Sequence, residues 1–251
     1  MNVNAKMNNG SLTVAAVDIG VDTDIPRRTI DGLLNNDIIV CESMHVLKLI
    51  ASMYDIDLSN KQVIEFNENI SRPYRVVDNL IEFCKQGKNI ILVANQGTPL
   101  IKDPGQEIVT RFRQEGFTIN CVPGPSAIIA ALSISGIAVN SFYFAGWIPA
   151  RYIDRSEHLQ RLKNSFFCTI VMFEPIFSNA YQSMIDISEI FGEETPISIL
   201  IDISKPSEDV FYGTTKDALP WLDKIINSEE LSETNPDFRY MTYVIDNNFK
   251  Q

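Results

Sequence analysis

The segment NIILVA (Asn89–Ala94) constrains the fold most, because five apolar residues in a row end abruptly at a polar loop that contains a glycine. Such a short apolar run, bounded by turn residues, favours a strand that is buried on both faces. Strands of this kind occur almost entirely in parallel sheets that have helices on both faces. The segment therefore predicts an α/β fold built on a parallel sheet.

The remainder of the N-terminal half alternates short β-branched runs with longer amphipathic segments. One predicted helix has Pro73 in its first turn and Gly87 at its end, and another runs from Pro104 to Gly116. Proline at the start and glycine at the end are typical of helix boundaries. Strands that alternate with helices in this way predict a mostly parallel sheet. The predicted strands are SLTVAAV, DIIVCE, QVIEF, NIILVA and FTINCV.

The pattern changes after FYFAGWIP (Phe142–Pro149), where a polar helix is expected over about 153–163. FFCTIVMFE is a strong strand, and three further strands follow, with a helix between the last two. Several of these strands are candidates for antiparallel pairing, so the sequence predicts a mixed sheet. We therefore expect two domains, an α/β domain at 11–148 and an α+β domain at 149–251.

Polar loops that contain glycine or proline follow several of the predicted parallel strands. In an open parallel sheet, ligands bind beyond the carboxyl ends of the strands, where these loops lie. Turns that only reverse the chain would show the same residues, so a ligand site and plain turns both remain open. The loops are Asp18–Asp24, Cys41–His45, Ala94–Gly105 and Pro123–Ala127.

Individual residues in these loops have specific expected roles. Gly97 and Gly124 lack a Cβ atom and would let a ligand approach the main chain. Asp103 is expected to cap the helix that begins at Pro104. The N–H groups of Ser126–Ala127, at the start of the next helix, could bind a carbonyl or a carboxylate.

Three acidic residues follow apolar strands and are candidates for proton transfer, namely Asp18, Glu42 and Glu174. Carboxylates at strand ends also commonly cap helices or face water, and that alternative stays open. The acidic loop at 18–24 matches neither a dinucleotide-binding nor a Walker phosphate motif, so a cation or a hydroxyl-bearing ligand suits it better. Phe173 considered alone is typical of a core residue.

Charge and composition restrict the partners. The formal net charge is −11, whereas a freestanding nucleic-acid binder is usually basic. The one basic stretch of note is Arg151–Lys163. The four cysteines are expected to be buried thiols, no apolar run is long enough to span a membrane, and the start of the chain lacks a signal peptide, which together predict a cytoplasmic protein. His45 and His158 have no metal-ligand spacing, so no metal site is expected.

Taken in order, five stretches resemble the tetrapyrrole (corrin/porphyrin) methylase superfamily, and within it the ribosomal RNA small subunit methyltransferase I group. They are GTPLIKDPG at 97–105, PGPSA at 123–127, SFYFAGWIPA at 141–150, TIVMFEP at 169–175 and SKPSEDVFYGT at 204–214. The resemblance implies a two-domain class III methyltransferase fold, a homodimer, and S-adenosylmethionine bound between the domains. It also implies that Phe173 contacts this cofactor and that Ile199 and Leu200 flank its adenine. The full set of implied cofactor-binding residues is Gly20, Asn95, Gln96, Gly97, Thr98, Pro99, Asp103, Pro123, Gly124, Ser126, Ala127, Phe173, Ile199 and Leu200.

Arginines of the group are replaced in this chain, by Met44, by Phe177–Ser178 and by Ile201. Because arginine is a usual partner of phosphate, these changes and the negative charge count against RNA as the methyl acceptor. The leading hypothesis is an S-adenosylmethionine-dependent methyltransferase with an undetermined acceptor, in which Glu42 is the first candidate for proton removal. The alternatives are 2′-O-methylation of a cytidine in small-subunit ribosomal RNA, a cofactor-binding protein without catalysis, and a relic of the fold that binds nothing.

Overall fold

Five short strands in the first half of the chain form one sheet. They are β1 (Ser11–Ala15), β2 (Ile38–Cys41), β3 (Gln62–Glu65), β4 (Ile90–Val93) and β5 (Thr118–Val122). The computed structural model describes residues 9–176, 179–227 and 239–248. The strand order is β3-β2-β4-β1-β5, and every pair is parallel. All four residues of the central strand β4 are buried, which confirms the prediction from NIILVA.

Helices cover both faces of this parallel sheet. They are α1 (Arg27–Asn35), α2 (Met44–Met53), α3 (Pro73–Lys85) and α4 (Gln106–Gln114). Successive side chains of β4 point to opposite faces, so Ile91 packs in one core with α1 and α2, whereas Ile90 packs in the other with α3 and α4. Full burial of one such side chain contributes roughly 1.5–3 kcal/mol, so a strand that feeds two cores holds the sheet together.

This arrangement opens a crevice at the carboxyl end of β4. The connections after β1 and β2 lead into α1 and α2 on one face, whereas the connection after β4 leads into α4 on the other face. Because β4 lies between β2 and β1, the helix that follows it lies on the opposite face of the sheet from the helices that follow its two neighbours. In open α/β sheets, ligands bind where neighbouring connections diverge in this way.

The second half of the chain forms a mixed sheet. Its strands are β6 (Phe142–Trp147), β7 (Thr169–Pro175), β8 (Pro196–Ile201), β9 (Asp209–Thr214) and β10 (Tyr240–Asp246), and its helices are α5 (Ala127–Ile134), α6 (Tyr152–Ser165), α7 (Ala180–Phe191) and α8 (Thr215–Ile226). The order is β6-β7-β10-β8-β9, in which β6 and β7 are parallel and the other pairs are antiparallel. One face packs on a core that includes Met172, Ile199 and Tyr243. The expected mixed sheet is therefore confirmed.

The chain divides into two compact units between Ser126 and Ala127, not near residue 148 as the sequence suggested. The reason is that β6 pairs with β7 and so belongs to the second sheet. The change in composition at 147–152 marks the start of α6, which is a boundary between elements inside the second unit.

Candidate functional site

Main-chain hydrogen bonds join the loop after β1 to the loop after β4. Val17 N donates to Gly97 O at 2.9 Å, and Gly97 N donates to Asp18 O at 2.7 Å. The Asp18 carboxylate accepts a hydrogen bond from Gly20 N at 2.9 Å, which closes a tight turn. The structure therefore brings the predicted residues Asp18, Gly20 and Gly97 together at the crevice.

Gly97 is the residue that makes this junction feasible. Its φ of 68° lies in the left-handed region, which glycine adopts with little strain. A Cβ atom at this position would lie 3.1 Å from Ile19 Cγ2 and 3.4 Å from Pro125 O. Any other residue would therefore combine backbone strain with crowding from two adjacent loops.

The loop after β5 is attached to the same junction. Thr98 Oγ1 donates to Pro125 O at 3.0 Å. Gly124 is required for packing within the chain, because a Cβ atom there would lie 2.6 Å from Pro26 Cγ and 2.8 Å from Ala16 Cβ. Gly124 was expected to make room for a ligand. In the structure, a glycine is needed at this position because the residue lies against the start of α1.

The turn between Pro99 and α4 has an unusual backbone. Leu100 and Lys102 both have a φ of 72°, a conformation that costs a residue with a side chain of order 1 kcal/mol or more. The helix begins at Gln106 with Gly105 as its N-cap residue, rather than at Pro104. The prediction that Asp103 caps this helix is therefore wrong, and the turn directs its carboxyl group elsewhere.

Asp103 and Glu42 line one small pocket at the carboxyl ends of β2 and β4. Its volume is about 10 Å³, which is roughly the room that one water molecule needs. Glu42 Oε2 accepts a hydrogen bond from Asn95 N at 3.2 Å, so the main chain of the loop after β4 holds this carboxylate. The lining residues are Val40, Cys41, Glu42, Phe66, Leu92, Val93, Ala94, Pro99, Asp103 and Pro104.

Proton affinity is altered at this pocket. Burial, and then the charge of Glu42, raise the pKa of Asp103 to about 7, against a smaller opposing effect of a backbone hydrogen bond from Leu100. Burial also raises the pKa of the Cys41 thiol to about 12, with further contributions from Glu65 and Glu42. Near neutral pH the thiol therefore stays protonated, and Asp103 is the group that exchanges a proton.

The donors and acceptors at this edge suit the cofactor that the resemblance implies. A nucleoside with an amino-acid end needs main-chain hydrogen-bonding groups and a few carboxylates, and the junction of Asp18, Gly97 and Thr98 presents both. The pocket of about 10 Å³ is too small for an adenosyl group, so a cofactor would bind on these loops rather than inside it.

The predicted residues of the second unit lie on two different faces of its sheet. Phe173 and Leu200 both pair with Thr242 and so share one face, where the ring of Phe173 packs edge-on against Phe144 at 4.9 Å between centroids. Ile199 lies on the opposite face, inside the core. Both Ile199 and Leu200 are fully buried, and their place beside an adenine stays a prediction.

Glu174 lies inside the second unit and is only 1% exposed. Ser183 Oγ donates to Glu174 Oε1 at 2.7 Å, and Tyr243 Oη donates to Glu174 Oε2 at 2.9 Å. Burial and the adjacent carboxylate raise the pKa of Tyr243 well above its usual range, so the tyrosine remains a donor. These contacts give Glu174 the environment of a structural acceptor, unlike the partly exposed Asp18 and Glu42.

The basic stretch at the start of the second unit is engaged within the chain. Arg151 forms two hydrogen bonds with Asp154, both at 2.7 Å. Arg155 is 2% exposed and pairs with Asp186 at 2.6 Å. Lys163 Nζ donates to Phe191 O at 2.7 Å. Arg161 Nη2 lies 3.0 Å from His158 Nδ1, so all four basic side chains of the stretch have a partner within the chain.

The remaining predicted residues are placed as follows. Asn95, Gln96, Pro99, Pro123 and Ser126 lie on the loops after β4 and β5, with Gln96 and Pro123 exposed and Pro99 buried. Phe177 and Ser178, which replace an arginine-containing pair of the resembled group, lie outside the described residues.

Sequence reasoning missed several residues that shape the site. Pro26 and Ala16 fix the position of Gly124. Phe66 completes the wall of the small pocket. Nothing in the local pattern marks these residues, because each acts through a partner that is distant in sequence.

A parallel sheet followed by a mixed sheet places the chain in a fold class populated by methyltransferases. Diphthine synthase superposes with a TM-score of 0.66 at 13% identity, covering 94% of this chain and 90% of that one. Uroporphyrin-III C-methyltransferase from Thermus thermophilus, complexed with S-adenosylhomocysteine, superposes with a TM-score of 0.58 at 12% identity, covering 94% and 97%. These similarities establish the fold.

The sequence pattern of the tetrapyrrole (corrin/porphyrin) methylases matches residues 11–219, and the chain belongs to this family. Among its relatives, the ribosomal RNA small subunit methyltransferase I of Leptospira biflexa is 32% identical over 82% of this chain and 83% of its own. The protein of that name from Bacillus subtilis is 30% identical over 89% and 74%, and the one from Thermotoga maritima is 28% identical over 86% and 93%. The chain is an S-adenosylmethionine-dependent methyltransferase.

Proposed function

We propose that the methyl acceptor is a ribose 2′-hydroxyl of a cytidine in small-subunit ribosomal RNA. The observation that carries this proposal is the similarity to proteins named ribosomal RNA small subunit methyltransferase I, at 28–32% identity over most of the chain. The match extends through both units, because the family pattern runs from residue 11 to residue 219. Similarity that extends this far favours a shared acceptor as well as a shared cofactor.

The cofactor supplies an electrophilic methyl group when it is bound. Residues of the first unit would hold it, with Gly97, Thr98 and Pro99 under the nucleoside. These loops are fixed to one another by hydrogen bonds within the chain, so they present a rigid surface. A rigid surface aligns the two reactants, which is the main contribution that a protein makes to an in-line methyl transfer.

A hydroxyl acceptor also needs a group that takes its proton. The crevice of the first unit offers the carboxyl groups of Asp18, Glu42 and Asp103, all of them partly exposed. Glu174 is set aside for this role, because it is buried and accepts hydrogen bonds from Ser183 and Tyr243. The chemistry of the first unit therefore suits an oxygen acceptor.

The charge of the protein shapes how it binds RNA. The net charge is −11, and Arg151, Arg155 and Lys163 are engaged within the chain. Binding through many phosphate contacts requires lysine and arginine side chains that face the nucleic acid. We therefore propose that the substrate is the ribosomal particle, which presents the target nucleotide in a fixed shape, rather than free RNA.

We also propose a cytoplasmic homodimer. Among the residues that the structure describes, no helix is both long and apolar enough to cross a membrane. All four cysteines carry free thiols, and Cys121 is exposed on β5, contrary to the expected burial, because β5 is an edge strand. The candidate dimer contact is β6, an edge strand of the second sheet whose Phe142 is 42% exposed.

Light scattering tests the proposed dimer through one substitution on each edge of the second sheet. Phe142→Lys on β6 should convert a dimer into a monomer, because it places a charge in the apolar contact. Tyr212→Lys on the opposite edge strand β9, where the tyrosine is 61% exposed, should leave the dimer intact. A wild-type protein that is already monomeric, or equal behaviour of the two variants, contradicts this assignment.

One experiment tests the acceptor. Small ribosomal subunits from cells that lack this gene are incubated with the protein and methyl-labelled S-adenosylmethionine, alongside protein-free ribosomal RNA and a small-molecule extract. Label should enter the RNA of the particle, at a linkage that resists alkali because the 2′-oxygen is blocked. Label in protein or small molecules would refute the proposal. Binding of S-adenosylhomocysteine without transfer to any fraction would instead favour a protein without catalysis.

A further inference from the structure

The pocket between β2 and β4 holds a carboxyl pair, Glu42 and Asp103. Glu42 follows β2, and Asp103 lies in the turn after β4, so the two side chains come from loops on either side of the crevice. They share a wall of apolar residues that includes Phe66 and Leu92. Two carboxyl groups in one apolar pocket repel each other when both are ionised, which favours a shared proton.

The conformation of the turn shows that Asp103 is directed to this pocket. Asp103 would be an ordinary helix cap at the start of α4, but Gly105 occupies that position. Leu100 and Lys102 adopt left-handed conformations instead, each with a φ of 72°. Conformations of this kind persist where the surrounding structure enforces them, and they occur often at functional sites.

We propose that Asp103 accepts the proton of the methyl acceptor and that Glu42 is the positioning residue that keeps Asp103 able to do so. This inference rests on the proposed function, because it requires a hydroxyl acceptor. In the step, the O–H bond breaks and the proton moves to the Asp103 carboxylate. The electron pair of the oxygen forms the new O–CH₃ bond while the bond between the methyl carbon and sulfur breaks, which leaves the sulfur neutral.

The electrostatics of the pocket support this assignment. Burial and Glu42 raise the pKa of Asp103 to about 7, and a general base is most effective when its pKa lies near the working pH. The titratable groups that line the pocket are Glu42, Asp103 and Cys41, and the thiol stays protonated because its pKa is about 12. The charge of Glu65, at the end of β3, contributes to the raised pKa of the Cys41 thiol. Asp103 is therefore the group whose ionisation should control turnover near neutral pH.

The pH dependence of kcat/KM on small ribosomal subunits is the first test. The wild-type profile should rise with pH and level off above a midpoint near 7. Asp103→Asn should lower turnover by about 10²–10⁴-fold, the usual contribution of general base catalysis, and keep the affinity for S-adenosylhomocysteine. Glu42→Gln should move the midpoint to lower pH, because it removes a repelling charge while the burial of Asp103 remains.

The matched control is Glu115→Gln. Glu115 also belongs to the first unit, but it pairs with Arg111 at the far end of α4. This variant should keep the wild-type profile. Wild-type turnover in Asp103→Asn, or a midpoint that does not move in Glu42→Gln, would overturn the inference.

A direct titration separates this inference from the proposed function, because it needs no acceptor. The carboxyl carbon of Asp103, identified by NMR as the signal lost in Asp103→Asn, should titrate with a midpoint near 7 and at lower pH in Glu42→Gln. A midpoint near 4 in the wild type would overturn the inference even if ribosomal RNA is methylated. Normal titration without transfer to the particle at any pH would overturn the ribosomal acceptor, and with it the catalytic role of Asp103.

Discussion

Replacing Asp103 by Asn should stabilise the protein, and the gain should depend on pH. The pKa of this carboxyl group is raised from 3.8 to about 7 in the folded chain. Below the unfolded-state pKa, such a carboxyl group is protonated in both states and the protein keeps its full stability. As the pH rises through the folded-state pKa, the folded protein has to ionise a buried group, and this stability is lost. Asn carries no charge at any pH, so the variant avoids that loss.

The size of the effect follows from the pKa difference. A rise from 3.8 to about 7 corresponds to at most about 4 kcal/mol between the two protonation states. Asp103 is partly exposed, and solvent screening reduces this to roughly 2 kcal/mol. At about pH 8 the Asn variant should therefore be roughly 2 kcal/mol more stable than the wild type, whereas at about pH 4 the two should be nearly equal.

Urea unfolding at these two pH values measures the difference. Glu115→Gln serves as the control, because an exposed ion pair contributes about 0–1 kcal/mol, and it should show no comparable gain at either pH. An Asp103→Asn variant that is less stable than the wild type at the higher pH would refute the reasoning. A gain in stability combined with a loss of turnover would show that the strained carboxyl pair is retained for catalysis.

Three further predictions concern the loops, the second core and the RNA. Thr98→Val should cost about 1 kcal/mol of unfolding free energy, because it removes the hydrogen bond to Pro125 O. Thr110→Val, on the exposed face of α4, should cost less. Equal urea midpoints for the two variants would contradict this prediction. Tyr243→Phe should cost about 1–3 kcal/mol of unfolding free energy, because Glu174 loses a buried hydrogen-bond donor. Calorimetry should find unchanged affinity for S-adenosylhomocysteine. Weakened binding would mean that Glu174 lies in the cofactor site. Affinity for small ribosomal subunits should depend weakly on salt, so the logarithm of the affinity plotted against the logarithm of the salt concentration should have a slope smaller in magnitude than about 3. A slope near about 10, as seen for extensive phosphate contacts, would contradict the limited role given to basic residues.

Much of the fold could be predicted because local pattern and burial agree. NIILVA is apolar throughout because both of its faces feed a core, and Pro73 begins α3 because a helix start tolerates a residue without an N–H group. The position of β6 could not be predicted in the same way. Its pairing with β7 is a long-range contact, and the run FYFAGW has no local property that assigns it to one sheet or the other.

The site was predictable in outline, because loops at the carboxyl ends of parallel strands are expected to meet. Asp18 and Gly97 do meet there, through their main chains. The orientation of Asp103 was missed, because Asp followed by Pro and Gly is typical of a cap, whereas left-handed backbone at Leu100 and Lys102 turns it away from α4. Glu174 was expected to be accessible, and its burial depends on Tyr243, a residue 69 positions away in sequence.

Calorimetry with S-adenosylhomocysteine on two glycine variants tests most directly whether the loop after β4 forms the cofactor surface. Gly97→Ala and Gly116→Ala share the cost of a left-handed backbone, with φ of 68° and 76°. A Cβ atom at residue 97 meets Ile19 and Pro125, whereas one at residue 116 meets nothing within 4 Å. The wild type and Gly116→Ala should bind with equal affinity, and Gly97→Ala should bind at least about tenfold more weakly, a loss of about 1.4 kcal/mol. Equal binding by all three proteins, or binding by none of them, would contradict the account.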